Sequence, residues 1–420
     1  MPESLKPPSK PKDAYRLLHT ADWHLGKTLN DQPRTEEHQL FLDWLLLAVK
    51  EHDVDGIILA GDVFDSAYPS QAAQKMYYDF ICNLRNLGNC EMAVIAGNHD
   101  SALQLEAPKQ LLQHMQIHVT GQLEDSPNSR ILLLPNAGEP QVALAMIPYL
   151  HERDLRKGKV GETKDDIRRQ LAEGIRARYL EVADAISLRH PGLPAIATGH
   201  LTVLGSAVSD SERDIHIGGL GEVESGCFPK SFSYVALGHL HRPQVPKGDA
   251  RVRYSGSPIA LSFSESNDNK EVRLVDATPK GISNYGLPVP VFRRLAQLKT
   301  ESARAETAVK KFKPGESELT PWVEVVVGDA VLKDDLNERL RQVDVDGKFE
   351  VMTVLRGGSM TPLPTPGREG HYCAEEDLLG NPIEVFERRM DQFPDLLAKD
   401  KKDLRRTFKT LWERDVEDGA

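Results

Sequence analysis

The chain has 420 residues, a formal net charge of −11, 40% hydrophobic residues and 27% charged residues. This length allows two or three domains, and the composition is typical of a globular protein with a hydrophobic core. No apolar run approaches the ~20 residues that span a bilayer, and residues 1–13 lack the apolar region of a secretion signal. We therefore expect no membrane segment and a cytoplasmic protein, and the acidic charge argues weakly against broad binding to polyanions.

Short β-type runs alternate with amphipathic stretches through the first 280 residues. Strands are predicted at residues 16–19, 56–60, 92–96, 131–135, 142–148, 195–198 and 234–237. Helices are predicted at residues 34–51, 70–87, 107–115 and 163–188. Two later runs, 252–255 and 271–275, are expected to be strands that close a second sheet. The alternation is typical of a layered α/β fold.

The pattern changes at the Leu-Pro-Val-Pro sequence of residues 287–290. Strands at 294–299, 322–327 and 348–355 then alternate with helices at 302–312 and 334–343, which indicates a small separate α/β domain. The predicted organisation is a disordered arm (1–14), a main domain (15–285), a small α/β domain (290–358), a linker (359–381) and C-terminal helices (382–417).

The C-terminal segment is densely charged and carries two apolar helical faces, separated by Pro394. One face holds Ile383, Phe386 and Met390, and the other holds Leu404, Phe408, Leu411 and Trp412. The residues alone leave three possibilities open: binding to a partner, packing on the same chain, or a homodimer contact.

Five short polar motifs each follow an apolar β-type run. They are Asp22-Trp23-His24, Gly61-Asp62, Gly97-Asn98-His99-Asp100, Gly199-His200 and Gly238-His239-Leu240-His241. Functional groups collect beyond the carboxyl ends of strands in open α/β sheets, so we expect the motifs to converge. In extended backbone, residues two apart point the same way, which would let Asp22 and His24, and likewise His239 and His241, chelate together. The motif glycines would let the backbone turn sharply beside the ligands.

The motifs supply seven candidate metal ligands. They are Asp22, His24, Asp62, Asn98, His200, His239 and His241. Mixed oxygen and nitrogen donors without thiolate suit Mn²⁺, Fe²⁺, Co²⁺ or Zn²⁺ better than Ca²⁺ or Mg²⁺. Two such cations roughly 3.5–4 Å apart stabilise both the attacking and the leaving oxygen of an in-line displacement. Each motif alone is weak evidence, but all five in order predict a dinuclear site for phosphoester hydrolysis.

The motif series D-x-H, G-D, G-N-H-[DE], G-H and G-H-x-H resembles the signature of the calcineurin-like metallophosphoesterases. Longer segments, among them LLHTADWHLGKTL, ILAGDVFDSAYPS, YVALGHLHRPQ and VRYSGSPIALSF, resemble the bacterial SbcD family, the nuclease subunits of SbcCD complexes. The resemblance runs from about Tyr15 to the C-terminal helices. It implies a four-layer metallophosphoesterase fold, with two β-sheets flanked by helices, a small α/β capping domain and C-terminal helices.

The resemblance also implies roles for the site residues. One metal would be bound by Asp22, His24, Asp62 and His241. The other would be bound by Asp62, Asn98, His200 and His239. His99 is the expected catalytic histidine, which steadies the phosphate and protonates the leaving 3′ oxygen, and Asp100 is expected to orient it. Archaeal and eukaryotic relatives carry a second active-site histidine in the stretch that matches Asp65. This chain has an aspartate there instead, so Asp65 is not assigned a catalytic role.

The implied activity is that of a Mn²⁺-dependent DNA nuclease in repair, recombination and replication. The C-terminal helices would bind an SbcC-type ATPase, within a heterotetramer that contains an SbcD homodimer at the nucleoid. No G-x-x-x-x-G-K-[ST] loop is present, so any ATP dependence would come from that partner. Because the ligands alone do not identify a substrate, an enzyme for small phosphodiesters or phosphoproteins stays an alternative. A non-catalytic scaffold predicts a broken ligand set, and the set is intact.

Four residues beside the motifs have weaker assignments. His19 is interpreted as a residue packed behind the site rather than a ligand. Lys27, Arg242 and Arg253 are candidate contacts to DNA phosphates, with a solvated surface role as the alternative for each.

Overall fold

The computed structural model describes residues 7–158, 162–207, 212, 223–328, 336–341, 343, 347–356, 404, 405 and 408. By its internal contacts the chain divides into Met1–Met360 and Thr361–Ala420. The predicted linker at 359–381 lies outside the described residues, as do nearly all of the predicted C-terminal helices. None of the described helices is long and apolar enough to cross a membrane.

The first unit contains all of the named strands and helices. The strands are β1 (Tyr15–Thr20), β2 (Thr28–Leu29), β3 (Gln32–Pro33), β4 (Gly56–Ala60), β5 (Glu91–Ile95), β6 (Ile117–Thr120), β7 (Ile131–Leu134), β8 (Val142–Ala145), β9 (Ala195–His200), β10 (Phe232–Gly238), β11 (Val252–Tyr254), β12 (Glu271–Thr278), β13 (Gly281–Pro288), β14 (Arg293–Thr300), β15 (Leu319–Val327) and β16 (Glu350–Arg356). The helices are α1 (Thr35–Glu51), α2 (Gln71–Leu87), α3 (Ala102–Glu106), α4 (Lys109–His114), α5 (Glu152–Leu155), α6 (Lys164–Arg189), α7 (Ala305–Lys310) and α8 (Leu336–Arg341).

The first sheet has six strands in the order β13-β12-β1-β4-β5-β6. Strands β1, β4, β5 and β6 are parallel, while β12 pairs antiparallel with β1 and β13 pairs antiparallel with β12. The prediction that residues 271–275 close a second sheet is therefore wrong, because β12 pairs with β1. A buried ion pair fixes this register: Arg16 Nε lies 2.6 Å from Asp276 Oδ1 on the neighbouring strand.

The second sheet has five strands in the order β11-β10-β9-β8-β7, and helix α6 covers its outer face. Helix α6 begins at a capping box formed by Thr163 and Asp166. Its buried residues recur at helical spacing, for example at Leu171, Ile175 and Tyr179, and they form one core with this sheet.

Three hydrophobic layers hold the two sheets and their helices together. Helices α1 and α2 pack against the outer face of the first sheet through residues such as Phe41 and Phe80. Between the sheets lie side chains from both, such as Leu17 from the first and Ile196 from the second. The order is thus helices, sheet, sheet, helix, which confirms the predicted four-layer arrangement.

A third sheet contains the parallel strands β14, β15 and β16. Helices α7 and α8 lie in the two connections and share a core with one face of this sheet. Parallel neighbours require such crossover connections. Strand β13 runs to Pro288, so the main-domain boundary predicted at residue 285 falls inside a strand that pairs with β12 along its whole length.

Candidate metal centre

The loops that follow β1 and β4 lie side by side and hold the first three candidate ligands. The Asp22 N–H donates to Gly61 O at 3.0 Å, and the His24 N–H donates to Asp62 O at 3.0 Å. The backbone φ angles of Asp22, His24 and Asp62 are 53°, 48° and 50°, in the left-handed region that residues other than glycine rarely adopt. The prediction of extended backbone at Asp22 and His24 is therefore wrong, because paired loops, rather than a strand, orient them.

Asp62 lies between two of the candidate histidine ligands, His24 and His200. Its Oδ2 atom is 3.4 Å from His24 Nε2 and 3.4 Å from His200 Nε2. Its Oδ1 atom accepts the backbone N–H of His99 at 2.9 Å. Asp22, His24 and His241 offer ligand atoms that all lie within 4.8 Å of one another, and so do Asp22, Asp62 and His200.

The remaining ligand candidates, Asn98 and His239, border His200. Its Nδ1–H donates to Ala60 O at 3.0 Å, and its Nε2 atom lies 2.9 Å from Asn98 Oδ1. The His239 ring packs edge-on against the His200 ring, with 5.3 Å between centroids. The His239 N–H donates to Asp22 Oδ1 at 2.8 Å. All seven predicted ligands thus come together, although 219 positions separate the first from the last in the chain.

Two motif glycines are required by close packing rather than by a turn. A Cβ on Gly97 would lie 2.1 Å from Asp62 Oδ1, and one on Gly238 would lie 2.0 Å from Ala60 O. Neither distance is compatible with a side chain, and neither glycine has a positive φ. Gly61, with φ of 90°, is the motif glycine that fits the predicted sharp turn.

The electrostatics of the cluster fit bound cations. Burial lowers the pKa of His24 and of His239, so both rings are neutral and keep a lone pair. Burial raises the pKa of Asp22 well above its usual range, which a nearby cation would offset. Among the described residues, the buried Asp22 Oδ2 and His24 Nε2 atoms make no hydrogen bond. Such atoms are costly unless something satisfies them, and divalent metals would do so here.

The neighbouring His200 and Asp62 side chains shift each other's pKa in opposite directions. Burial opposes ionisation of Asp62, but the neighbouring His200 ring holds the pKa of that carboxyl well below its usual range. Burial lowers the pKa of His200, yet the Asp62 carboxylate outweighs it and raises that pKa to about 9. The Asp62 carboxylate thus favours a proton on His200, and it would favour a bound metal for the same reason, so proton and metal would compete for the ring.

His99 is held by a backbone carbonyl. Its Nδ1–H donates to Asp65 O at 2.8 Å, so Nε2 carries the lone pair, 4.0 Å from Asp62 Oδ2. The Asp100 carboxylate instead accepts backbone N–H groups from Gly97 at 2.9 Å and from the Asp62 loop, at Val63 and Phe64. The expected contact of Asp100 with the His99 ring is thus replaced by the Asp65 carbonyl, because Asp100 joins the two loops.

Comparison with known proteins agrees with this geometry. The sequence profile of the calcineurin-like phosphoesterase family matches residues 15–243. The SbcD protein of the SbcCD nuclease from Escherichia coli K12 is 35% identical over 379 residues, covering 89% of this chain and 92% of the relative. The chain belongs to the SbcD family of calcineurin-like phosphoesterases. SbcD proteins from Rhodobacter capsulatus and Bacillus subtilis are 39% and 38% identical, covering 67% and 63% of this chain and 72% and 66% of the relatives.

Membership of the SbcD family makes the chain a metal-dependent hydrolase.

The side chain of Asp65 lies beside the candidate metal ligands. Asp65 Oδ1 lies 3.3 Å from His24 Nδ1 and 3.0 Å from Lys27 Nζ. Asp65 therefore contacts His24 with its carboxylate and holds His99 with its carbonyl. No role for Asp65 was predicted from the sequence, where its one signal is its place in the loop after Gly61-Asp62.

A second group, behind His241, was missed entirely. His241 Nδ1 lies 3.2 Å from Glu265 Oε1, and Glu265 Oε2 lies 2.6 Å from Lys270 Nζ. Lys270 also donates to His241 O at 2.9 Å and to Ser257 Oγ at 3.0 Å. No spacing pattern in the sequence of this SbcD-family chain joins Glu265 to His241, because the contact depends on how the 257–270 segment folds back.

The structure of this SbcD-family chain also places the four residues that had weaker assignments. His19 lies between Tyr234 Oη at 3.0 Å and Leu237 O at 3.2 Å, as expected for a packed residue. Lys27 contacts Asp65 as described above. Arg242 Nε lies 3.0 Å from Asp268 Oδ1, and Arg253 is half-buried.

Proposed function

We propose that this chain is the nuclease subunit of an SbcCD-type complex and hydrolyses DNA phosphodiesters with two divalent metal ions. The observation that carries the proposal is the 35% identity to a nuclease subunit over 89% of this chain and 92% of the relative. Mn²⁺ is the proposed metal, since the donor set is rich in imidazole and carboxylate and has no thiolate.

The proposed ligand sets follow the family assignment. Asp22, His24, Asp62 and His241 would hold one metal, and Asp62, Asn98, His200 and His239 the other. Bound there, the metals supply Lewis-acid stabilisation of the attacking and leaving oxygens. The protein contributes the rigid loops that fix these side chains and the neutral rings that burial produces.

His99 is proposed as the catalytic histidine. Because its Nδ1 donates to the Asp65 carbonyl, Nε2 is the atom that can carry a proton to or from substrate. That atom faces Asp62, where the scissile phosphate would lie. In the protonated ring, Nε2–H would steady the phosphate and then protonate the leaving 3′ oxygen. Asp100 supports this by joining the loops of Asp62 and His99.

The parts of the chain beyond the family match have proposed roles in substrate and partner binding. Residues 290–358 would cap the centre and guide DNA, and residues 382–417 would bind an SbcC-type ATPase that confers ATP dependence. These segments lie outside residues 15–243, the part of the chain that the phosphoesterase profile matches. The proposed assembly is a heterotetramer containing two copies of this chain. It would act on nucleoid DNA in repair, recombination and replication, as a double-strand exonuclease and a single-strand and hairpin endonuclease.

A substrate panel tests the proposal. The chain, alone and with an SbcC-type partner and ATP, is incubated in Mn²⁺ with hairpin-ended duplex DNA, a nitrophenyl phosphodiester and a phosphopeptide. We expect DNA cleavage that rises with partner and ATP. Turnover of the nitrophenyl diester or phosphopeptide without DNA cleavage under any condition would contradict the nuclease assignment and favour a small-substrate enzyme.

A further inference from the structure

Glu265 occupies the place of a residue that orients a metal-binding histidine. Its side chain is fully buried and lies 3.2 Å from Nδ1 of His241, the ring nitrogen opposite Nε2. A carboxylate at this position fixes the ring orientation and makes the other nitrogen a stronger ligand. Lys270 and the Leu261 N–H, at 2.6 and 3.1 Å, hold the second Glu265 oxygen in place.

The same short 3₁₀ helix that carries Glu265 also touches the small sheet. The helix spans Phe263–Glu265, and Phe263 is buried against Leu295, Trp322 and Met352. These three residues come from β14, β15 and β16, so every strand of the small sheet contributes to the contact. Only Ser264 therefore separates Phe263, which packs on the small sheet, from Glu265, which contacts the candidate metal ligand His241.

A cation-π stack holds the small sheet and this segment together. Arg293 lies 4.2 Å and Arg34 5.6 Å from the Trp322 ring centroid. Both guanidinium groups contact the buried Glu37 carboxylate, at 2.7 and 2.6 Å. Arg34 also donates to Ala260 O at 2.8 Å, three residues before Phe263. The small sheet, the start of α1 and the Glu265 segment thus form one packed junction.

We propose that Glu265 is a positioning residue for His241, and that the small sheet fixes Glu265 through Phe263. The seating of the small sheet would then set the affinity of the metal bound by Asp22, His24 and His241. The inference rests on the metal centre proposed above and concerns metal affinity, which can be measured without DNA. A ligand that shifts the small sheet against this junction would change metal affinity at this site, and by linkage the metal would change that ligand's affinity.

The test is Mn²⁺ titration of the full chain by calorimetry, without DNA. Glu265→Gln should weaken one of the two binding events by ~10–100-fold, because removing a residue that orients a metal ligand typically has this effect. The other event should change by less than ~3-fold, since the Glu265 carboxylate is seated on His241, a proposed ligand of one metal alone. Phe263→Ala should weaken the same event in the same direction.

Two matched variants separate positioning from general damage. Glu91 is also a buried carboxylate beside a histidine, 3.3 Å from His118, but lies at the amino end of β5, away from the ligands. Phe349 is a buried phenylalanine like Phe263, but it belongs to the small domain and lies in the core on the helix-covered face of the small sheet. Glu91→Gln and Phe349→Ala should leave both Mn²⁺ affinities unchanged, although Phe349→Ala should lower the apo melting temperature as Phe263→Ala does.

Several outcomes would overturn the proposal. Unchanged Mn²⁺ affinities in folded Glu265→Gln would remove Glu265 as a positioning residue. Equal losses in Phe263→Ala and Phe349→Ala would show a general stability effect, and this pair decides the matter if Glu265→Gln does not fold. A wild-type chain that binds no Mn²⁺ would instead overturn the proposed metal centre itself, whereas failure of DNA cleavage with normal Mn²⁺ binding would affect the nuclease assignment alone.

Discussion

Replacing Gly97 with alanine tests how tightly the loops of the centre are packed. The new Cβ would lie 2.1 Å from Asp62 Oδ1, 2.4 Å from Asp62 N and 2.7 Å from Asp62 Cγ. Ordinary carbon contacts are about 3.5 Å or longer, so the Asp62 carboxylate or its loop must move by more than ~1 Å. The loop cannot move freely, because Asp62 is also held by the His99 N–H and its backbone carbonyl by the His24 N–H.

A displacement of ~1 Å at a reacting centre costs roughly 100-fold in rate, or about 2.7 kcal/mol. Overpacking should also lower the free energy of unfolding by ~1–3 kcal/mol. Because Asp62 is the proposed ligand to both metals, Gly97→Ala should weaken both Mn²⁺ binding events. This distinguishes it from Glu265→Gln, which should weaken one.

The assay is kcat/KM for hairpin-ended duplex DNA in Mn²⁺, with Mn²⁺ calorimetry and urea unfolding on the same samples. Gly226→Ala is the matched control, since a Cβ there has no heavy atom within 4 Å and its φ is not positive. It should behave as wild type in all three measurements. If Gly97→Ala also kept kcat/KM within ~3-fold of wild type, the packing argument would be refuted.

Three further predictions follow from the geometry. His99→Gln should keep both Mn²⁺ affinities and the fold but lose ~10²–10⁴-fold in kcat, and wild-type cleavage by this variant would remove His99 as the catalytic residue. Asp65→Asn keeps the carbonyl that holds His99 but weakens the contact to His24 at 3.3 Å, so Mn²⁺ affinity should fall by ~10-fold, with unchanged affinity as the contrary result. Burial lowers the pKa of His19 to about 3. Below about pH 6.5, His19 therefore binds a proton in the unfolded chain but stays neutral in the folded chain. The stability that this group contributes is complete above pH 6.5 and falls toward pH 3 by up to ~1.4 kcal/mol per pH unit. In urea unfolding with EDTA present, the free energy of unfolding of His19→Gln should therefore fall less steeply with acid than that of the wild type. Parallel slopes for the two proteins would contradict this.

The sequence predicted most elements because burial patterns are local. Helix α1 was expected at residues 34–51 and lies at Thr35–Glu51, and strand β4 was expected at 56–60 and lies at Gly56–Ala60. The sheet that β12 joins was predicted wrongly, because its partner β1 is more than 250 residues away and apolar alternation does not identify a partner. The short edge strand β6 and the largely half-buried β13 gave patterns too weak to recognise.

The candidate ligands were predictable for a different reason: each lies at or just after the end of a strand, and the carboxyl ends of parallel strands in a sheet lie at one edge. Their conformations were not, since left-handed backbone at Asp22, His24 and Asp62 depends on the pairing of two loops. The supporting residues Asp65 and Glu265 were missed because they act through contacts that only the folded chain creates. A carboxylate beside a histidine in space has no fixed spacing in sequence.

The central claim is that seven side chains form one dinuclear metal centre, and Mn²⁺ titration followed by electron paramagnetic resonance tests it most directly. Two ions roughly 3.5–4 Å apart interact magnetically, so the account predicts two Mn²⁺ per chain with a spin-coupled signal. Asp62→Asn, which weakens the proposed shared ligand, should abolish the coupling. One isolated Mn²⁺, or two without coupling in the wild-type chain, would contradict the account.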